Sequence, residues 1–269
     1  MKTPFGQNFL TNETIAEKIT AAADLSTKDN VLEIGPGKGI LTKYLAPKAG
    51  KVLAVEVDKS LALSLDSRFR GNDKERVKII EGDILKINLP ELIEKNNFQN
   101  HKVVANLPYY ITSKIIRLML ETKYPPSEMI LMVQKEVGER ICAKDGKESI
   151  LSISVKFYAD PEMLFEVGRE NFDPAPEVDS AVIKIKRKKR IPDIDINRFF
   201  SLVRAGFSAK RKMLVNNLSS SFSMPKKNVS EILKKSGLEP TVRAERLGLE
   251  NWLKLYQILP GFIIGQKRK

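Results

Sequence analysis

The chain is poor in the residues that staple or metallate small proteins. Cys142 is the one cysteine in 269 residues, so no intrachain disulfide can form, no cysteine cluster can hold a metal, and no metal is expected. It reads as a small, half-buried residue. The sole histidine, His101, reads as a structural loop residue, and the sole tryptophan, Trp252, as a helix-core anchor. No apolar run reaches the roughly 18 residues of a membrane span, so no membrane partner is expected. The first ten residues, M-K-T-P-F-G-Q-N-F-L, carry one Lys and no apolar stretch of signal-peptide length. The phosphate-cradling pattern G-x-x-x-x-G-K-[ST] is absent, which weighs against a nucleotide hydrolase. With 42% apolar and 29% charged residues, the expectation is a globular protein of the reducing cytoplasm.

Charge is abundant but uneven. Residues 184–269 hold 21 Lys and Arg against 6 Asp and Glu, a balance of +15, whereas residues 1–183 hold 25 against 27. A short basic run such as K-I-K-R-K-K-R (184–190) is commonly just a solvated face. An excess confined to the last third instead predicts a polyanion partner, with nucleic acid first among candidates.

Hydrophobic periodicity divides the chain in the same way. V-L-E-I (31–34), V-L-A-V-E-V (52–57), V-K-I-I (77–80), K-V-V-A-N (102–106) and M-I-L-M-V (129–133) are β-rich runs. They alternate with helical patterns such as L-T-K-Y-L (41–45) and S-K-I-I-R-L-M-L (113–120). That alternation predicts an α/β fold with a mostly parallel sheet. L-S-I-S-V-K-F (151–157) and S-A-V-I-K-I-K (180–186) are expected to add an antiparallel edge. Beyond R-K-K-R-I-P-D the segments 196–207, 229–238 and 249–259 have helical apolar faces, and Gly237 is placed as a C-cap. Two domains follow, 1–190 and a small all-α C-terminal domain, 191–269. Polar residues 66–74 read as a surface loop.

Three strand ends carry groups that bind ligands. V-L-E-I-G-P-G-K-G sets Gly35 and Gly37 between a strand and a helix, where backbone can approach a ligand closely. The spacing is G-x-G-x-G, not the G-x-G-x-x-G of dinucleotide sites. Glu56, at the tip of the second strand, suits ribose hydroxyls, and Asp83 in E-G-D-I suits an adenine amino group. A ribose and a base with no phosphate clamp fit S-adenosylmethionine better than NAD or ATP. The fourth strand ends in N-L-P-Y (106–109). The Asn106 side-chain oxygen and the Leu107 carbonyl can accept hydrogen bonds from an exocyclic amine, with Pro108 stiffening the turn. Two fixed acceptors favour the tetrahedral nitrogen that attacks a methyl group. Tyr109 can stack on a base taken out of its own stack. F-D-P-A-P-E-V-D-S (172–180) offers Phe172 for the opposite face, on a segment stiffened by two prolines.

Together with F-G-Q-N-F-L (5–10) and F-S-A-K-R-K-M-L-V-N-N-L (207–218), these motifs resemble the ribosomal RNA adenine N6,N6-dimethyltransferases, in their small-subunit (16S) branch. The resemblance covers nearly the whole chain. It implies a Rossmann-like, S-adenosylmethionine-dependent methyltransferase domain and an RNA-binding C-terminal domain. It also implies cofactor contacts at Asn8, Leu10, Gly35, Glu56, Asp83 and Asn106. The implied reaction is dimethylation of two adjacent adenines in the 3′-terminal hairpin of 16S rRNA, on a small-subunit assembly intermediate, by a monomer. The antibiotic-resistance branch acting on 23S rRNA shares the catalytic motifs, and a non-catalytic assembly factor is the reading from another class. Residues 207–218 favour the 16S branch, and the intact Glu56 and N-L-P-Y favour catalysis. Glu177 stands where this family often has Lys.

Overall fold

A computed structural model describes residues 7–69, 76–143 and 146–259. It divides the chain into two compact units, Met1–Glu139 with Tyr158–Lys188 and Arg140–Phe157 with Lys189–Lys269. The chain thus crosses between units at 139–140, 157–158 and 188–189.

The first unit is built on a seven-stranded sheet. After β1 (Phe9–Leu10), its strands in chain order are β2 (Asn30–Ile34), β3 (Lys51–Glu56), β4 (Val77–Glu81), β5 (His101–Asn106), β6 (Glu128–Gln134) and β7 (Ala159–Val167), then β8 (Phe172–Asp173) and β9 (Ser180–Arg187). The sheet order is β4-β3-β2-β5-β6-β9-β7, while β1 pairs separately with β8. The ladders from β4 through β6 are parallel, and β9 runs antiparallel between β6 and β7. Central strands such as Met129–Val133 are buried on both faces, as the continuous apolar run of a covered parallel strand requires. Helices α1 (Glu13–Ala22), α2 (Ile40–Leu45), α3 (Lys59–Arg68), α4 (Leu89–Asn96) and α5 (Thr112–Glu121) provide the crossovers and cover. Asn12 and Asp58 cap α1 and α3 through their side-chain oxygens. Chain order reverses between β2 and β5, so the crevice beyond their carboxyl ends is where an open α/β sheet binds ligands.

The second unit is helical. It takes the end of α6 (Lys135–Cys142), nearly all of α7 (Ile150–Tyr158), and α8 (Ile196–Gly206), α9 (Leu214–Phe222), α10 (Lys226–Lys235) and α11 (Leu249–Ile258). Phe157 stacks on Phe199 with centroids 5.1 Å apart and meets Phe200 edge-on at 5.4 Å. Trp252 is fully buried and stacks on Phe207. A Cβ at Gly206 would stand 2.2 Å from the Trp252 ring, so the close approach of α8 and α11 needs a glycine there. Gly237, at φ +76°, ends α10 as expected. The Leu238 N–H donates to Leu233 O and the Gly237 N–H to Lys234 O, the pattern of a Schellman cap.

Three expectations need correction. Residues 151–157 are helix α7, not a strand. Their apolar run is buried in the helical unit, and periodicity cannot separate a buried helix from a buried strand. The strand that completes the antiparallel edge is instead β7, which tolerates Pro161 because it is the outer strand. Within the expected loop 66–74, Asp66–Arg68 continue α3, and 70–74 lie outside the described residues. His101 opens β5, buried, with Nδ1 hydrogen-bonded to Phe98 O at 2.7 Å.

Candidate functional site

The carboxyl ends of β2, β3 and β5 open onto one cavity. Its lining includes Asn8, Leu10, Gly35, Gly37, Glu56, Asn106, Leu107, Pro108, Tyr109 and Phe172. Asp83 lines an adjoining cavity, which shares Gln7, Gly35, Val57 and Pro108 with the first. All of the site residues expected from the sequence therefore converge on two connected hollows at the topological switch point.

The floor is the glycine turn. Gly35, Gly37 and Gly39 all have positive φ, at +65°, +58° and +79°. Among the described residues nothing stands within 4 Å of a Cβ built on Gly35, so a side chain there would project into space facing the cavities, whereas one on Gly37 would touch the Phe9 ring at 3.0 Å. Glu56 holds this turn in place. Its Oε2 accepts the Gly37 N–H and its Oε1 the Asp58 N–H, both at 2.9 Å. A carboxylate has about four acceptor positions, so two amides leave room for further hydrogen-bond donors. Asp83 is similarly set: Oδ1 accepts the Leu85 N–H at 3.0 Å, and Lys86 Nζ lies 3.5 Å from Oδ2.

The N-terminal segment closes one side. β1 pairs with β8, setting Leu10 opposite Phe172. The Asn12 amide donates to Asn171 Oδ1 at 2.7 Å, and the Thr11 N–H to Asn171 O. Lys38 lies over the Phe9 ring, 4.8 Å from its centroid. Phe172 is thus a wall that is itself packed into the core beside Leu10. The hook-like F-G-Q-N-F-L carries Asn8 and Leu10 to the cavity by this pairing.

At the β5 end the acceptors are oriented. Asn106 Nδ2 donates to Asn8 O at 3.4 Å, which leaves Oδ1 as the amide's acceptor. The Leu107 N–H donates to Met132 O and its side chain is buried. The Pro108 carbonyl accepts from the Ile111 N–H and the Thr112 hydroxyl, starting one turn of 3-10 helix, Tyr109–Ile111. Tyr109 Oη lies 2.8 Å from Ser180 Oγ. Burial, more than the nearby Asp179 charge, raises its phenol above the ordinary range, so the ring is neutral at pH 7.

Sequence reasoning passed over Glu33, Gln7, Lys38, Val57 and Ser180. Glu33 is the most distinctive of these. It is fully buried at the cavity's base, with the Thr42 hydroxyl donating to Oε2 at 2.7 Å and no partner for Oε1 among the described residues. Burial, with a smaller contribution from the Glu56 charge, raises its carboxyl to about 8 despite the Thr42 hydrogen bond. The signal was a charged residue within the apolar strand V-L-E-I.

The sequence model of a family described as ribosomal RNA adenine dimethylase matches residues 1–260. A Dehalococcoides mccartyi protein named ribosomal RNA small subunit methyltransferase A is 43% identical over 255 residues, spanning 93% of this chain and 85% of its own. A Fusobacterium nucleatum protein of the same name is 43% identical over 265 residues, spanning 97% and 98%. Among solved structures, a dimethyladenosine transferase from Plasmodium falciparum matches with TM-score 0.77 at 29% identity, over 92% of this chain and 95% of that one. The 23S rRNA methyltransferase ErmE matches with TM-score 0.75 at 27% identity, over 94% and 99%.

Proposed function

The chain belongs to the ribosomal RNA adenine dimethylase family, and on that premise we propose that it dimethylates the N6 amino groups of two adjacent adenines in the 3′-terminal hairpin of 16S rRNA. S-adenosylmethionine is the methyl donor, and a small-subunit assembly intermediate in the cytoplasm is the substrate particle. The enzyme acts as a monomer through a catalytic domain spanning 1–190 and a basic RNA-binding domain spanning 191–269. Among the described residues no helix is long and apolar enough to cross a membrane.

The residues fit the cofactor. The open space at Gly35 is a cradle that a Cβ would fill, and Glu33 Oε1 is a buried carboxyl oxygen with no partner among the described residues, hydrogen-bonding capacity that a polar group of the bound cofactor would satisfy. Glu56 would hold the ribose, Asp83 the adenine amino group, and Asn8 and Leu10 the side facing the N-terminal segment. Bound there, S-adenosylmethionine supplies an electrophilic methyl group on a sulfonium.

The single observation that carries the catalytic reading is the orientation of Asn106, whose amide nitrogen is engaged by Asn8 O. Adenine N6 is a weak nucleophile because its lone pair is delocalised into the ring. Asn106 Oδ1 and the Leu107 carbonyl accept its two hydrogens and favour the pyramidal nitrogen, in an environment that needs little reorganisation. Tyr109 and Phe172 hold the ring from its two faces. No side chain need act as general base, because quaternisation makes the N6 proton acidic. Labelled-methyl transfer to immature 30S and 50S particles, with the modified bases mapped, tests the assignment. Two adjacent dimethyladenines near the 16S 3′ end are expected; label confined to 23S rRNA would move the chain to the other branch.

A further inference from the structure

We propose that Ser180 is a positioning residue for the methyl transfer, holding the Tyr109 ring at the angle at which it stacks on the target adenine. The proposal rests on the reading of Tyr109 as a stacking ring.

Ser180 is a hydroxyl at the start of an otherwise apolar strand run, S-A-V-I, and is fully buried. A buried hydroxyl needs a partner. Here the partner is Tyr109 Oη, 71 residues away in the chain and 2.8 Å away in space. The two ends of this bond differ in rigidity. Ser180 sits in β9 with a neighbouring strand on each side, opposite Gln134 of β6 and Val167 of β7. The preceding residue is also fastened: Asp179 O accepts the Lys135 N–H, and Asp179 Oδ1 accepts the Arg169 N–H. Tyr109, by contrast, begins a single 3-10 turn, and the next ring along it, Tyr110, is 65% exposed. A tyrosine on such a turn has several staggered rotamers open to it. Bonding the far end of the ring to a sheet strand selects one of them and defines both ring plane and depth.

The same bond links the two segments that form the base pocket. Asn-Leu-Pro-Tyr follows β5, whereas Phe172 and the proline segment lead into Ser180. Misplacing one wall by a fraction of an ångström is costly when a reaction depends on near-attack geometry. A hydroxyl that only satisfied its own burial would have no such effect on rate beyond its effect on folding.

The test is a double-mutant cycle on methyl transfer to immature 30S particles, comparing the full-length protein with Ser180→Ala, Tyr109→Phe and the double variant. One net hydrogen bond predicts that each single variant lowers kcat by about fivefold to tenfold, with KM for the cofactor unchanged. The double variant should be no slower than either single one. If the two losses instead multiply, Ser180 acts through the sheet and the proposal falls. Should Ser180→Ala fail to fold, Tyr109→Phe breaks the same bond from the half-exposed side, and an unchanged kcat would overturn the proposal. Tyr109→Ala separates the premise from the inference: full activity of that variant refutes stacking itself, whereas a large loss beside a multiplicative cycle refutes the tether alone.

Discussion

Around the cavity of the sheet unit, the groups that face a ligand are amide, carbonyl, phenol and carboxylate, and nearly all are held by the protein's own backbone. Gly37 N–H on Glu56, Leu85 N–H on Asp83 and Asn8 O on Asn106 are bonds between backbone and side chain, each at least part-buried. In the helical unit, the segment between α8 and α9 sets Lys210, Arg211 and Lys212 side by side, all exposed. The first arrangement fixes position, in a unit whose residues belong mostly to the span 1–183, where basic and acidic groups nearly balance at −2. The second supplies charge with little demand on the placement of any one side chain. Perturbing the first should alter rate at any ionic strength, and perturbing the second should alter affinity in a salt-dependent way.

The largest effect is expected where position alone matters. Asn106→Ala removes one acceptor from the amine and leaves the basic helical unit untouched. A loss of about 10²–10³ in kcat is expected, the scale of deleting one preorganised polar group, with RNA affinity retained. Single-turnover transfer with particles in excess measures the first, and filter binding the second. Near-normal transfer would remove Asn106 from the mechanism.

The sheet unit was legible to the extent that its strands end in residues that line the same two cavities. β2 through β6 have β-branched runs of strand length, and Gly35, Glu56, Asp83 and Asn106 follow at their carboxyl ends. Helix α7 was not legible, because I-L-S-I-S-V-K-F-Y is apolar enough to suit either geometry and only its contacts in the helical unit decide. The aromatic cluster of Phe157 with Phe199 and Phe200 brings together residues about 40 apart in the chain, a pairing no local pattern records. Ser180 was hidden for the same reason: the role proposed for it depends on a partner 71 residues away. Asn8 and Leu10 were reached only through family resemblance, since their place follows from the β1–β8 pairing.

Glu33 gives the next effect, because it is the exception to the rule that carboxylates around this cavity are well held. Below about pH 4.5, its ordinary value, the carboxyl is protonated in folded and unfolded chains alike. As pH rises the unfolded chain loses this proton first, so stability falls until the folded carboxyl also ionises at about 8. The groups facing it are Thr42 from α2, which favours the charged form, and Glu56 from β3, which opposes it. The loss attributable to Glu33 should be about 3 kcal/mol between pH 5 and 8. Urea unfolding across that range should show Glu33→Gln with a flatter profile than the parent; parallel profiles would mean that Glu33 is ionised in the folded protein.

The smallest effect per residue belongs to the basic segment, and it is the one that tests the charge side of the comparison. Removing residues 191–269 would be a poor test, since it strips Phe199 and Phe200 from Phe157. Replacing Lys210, Arg211 and Lys212 together by Ala leaves the support of the segment intact. Its backbone is held by the buried Asn217, whose Nδ2 donates to Gly206 O at 2.6 Å and to Ala209 O at 3.1 Å. If all three side chains neutralise phosphates, the slope of log affinity against log salt should become shallower by about 2 for single-stranded RNA. Between about 50 and 200 mM salt, such a change in slope is a difference of roughly sixteenfold in how far affinity drops. The rate at saturating RNA should be unaffected, because the acceptors at Asn106 and Leu107 belong to the other unit. A fall in that rate with an unchanged salt slope would show the segment orienting the RNA in place of attracting it.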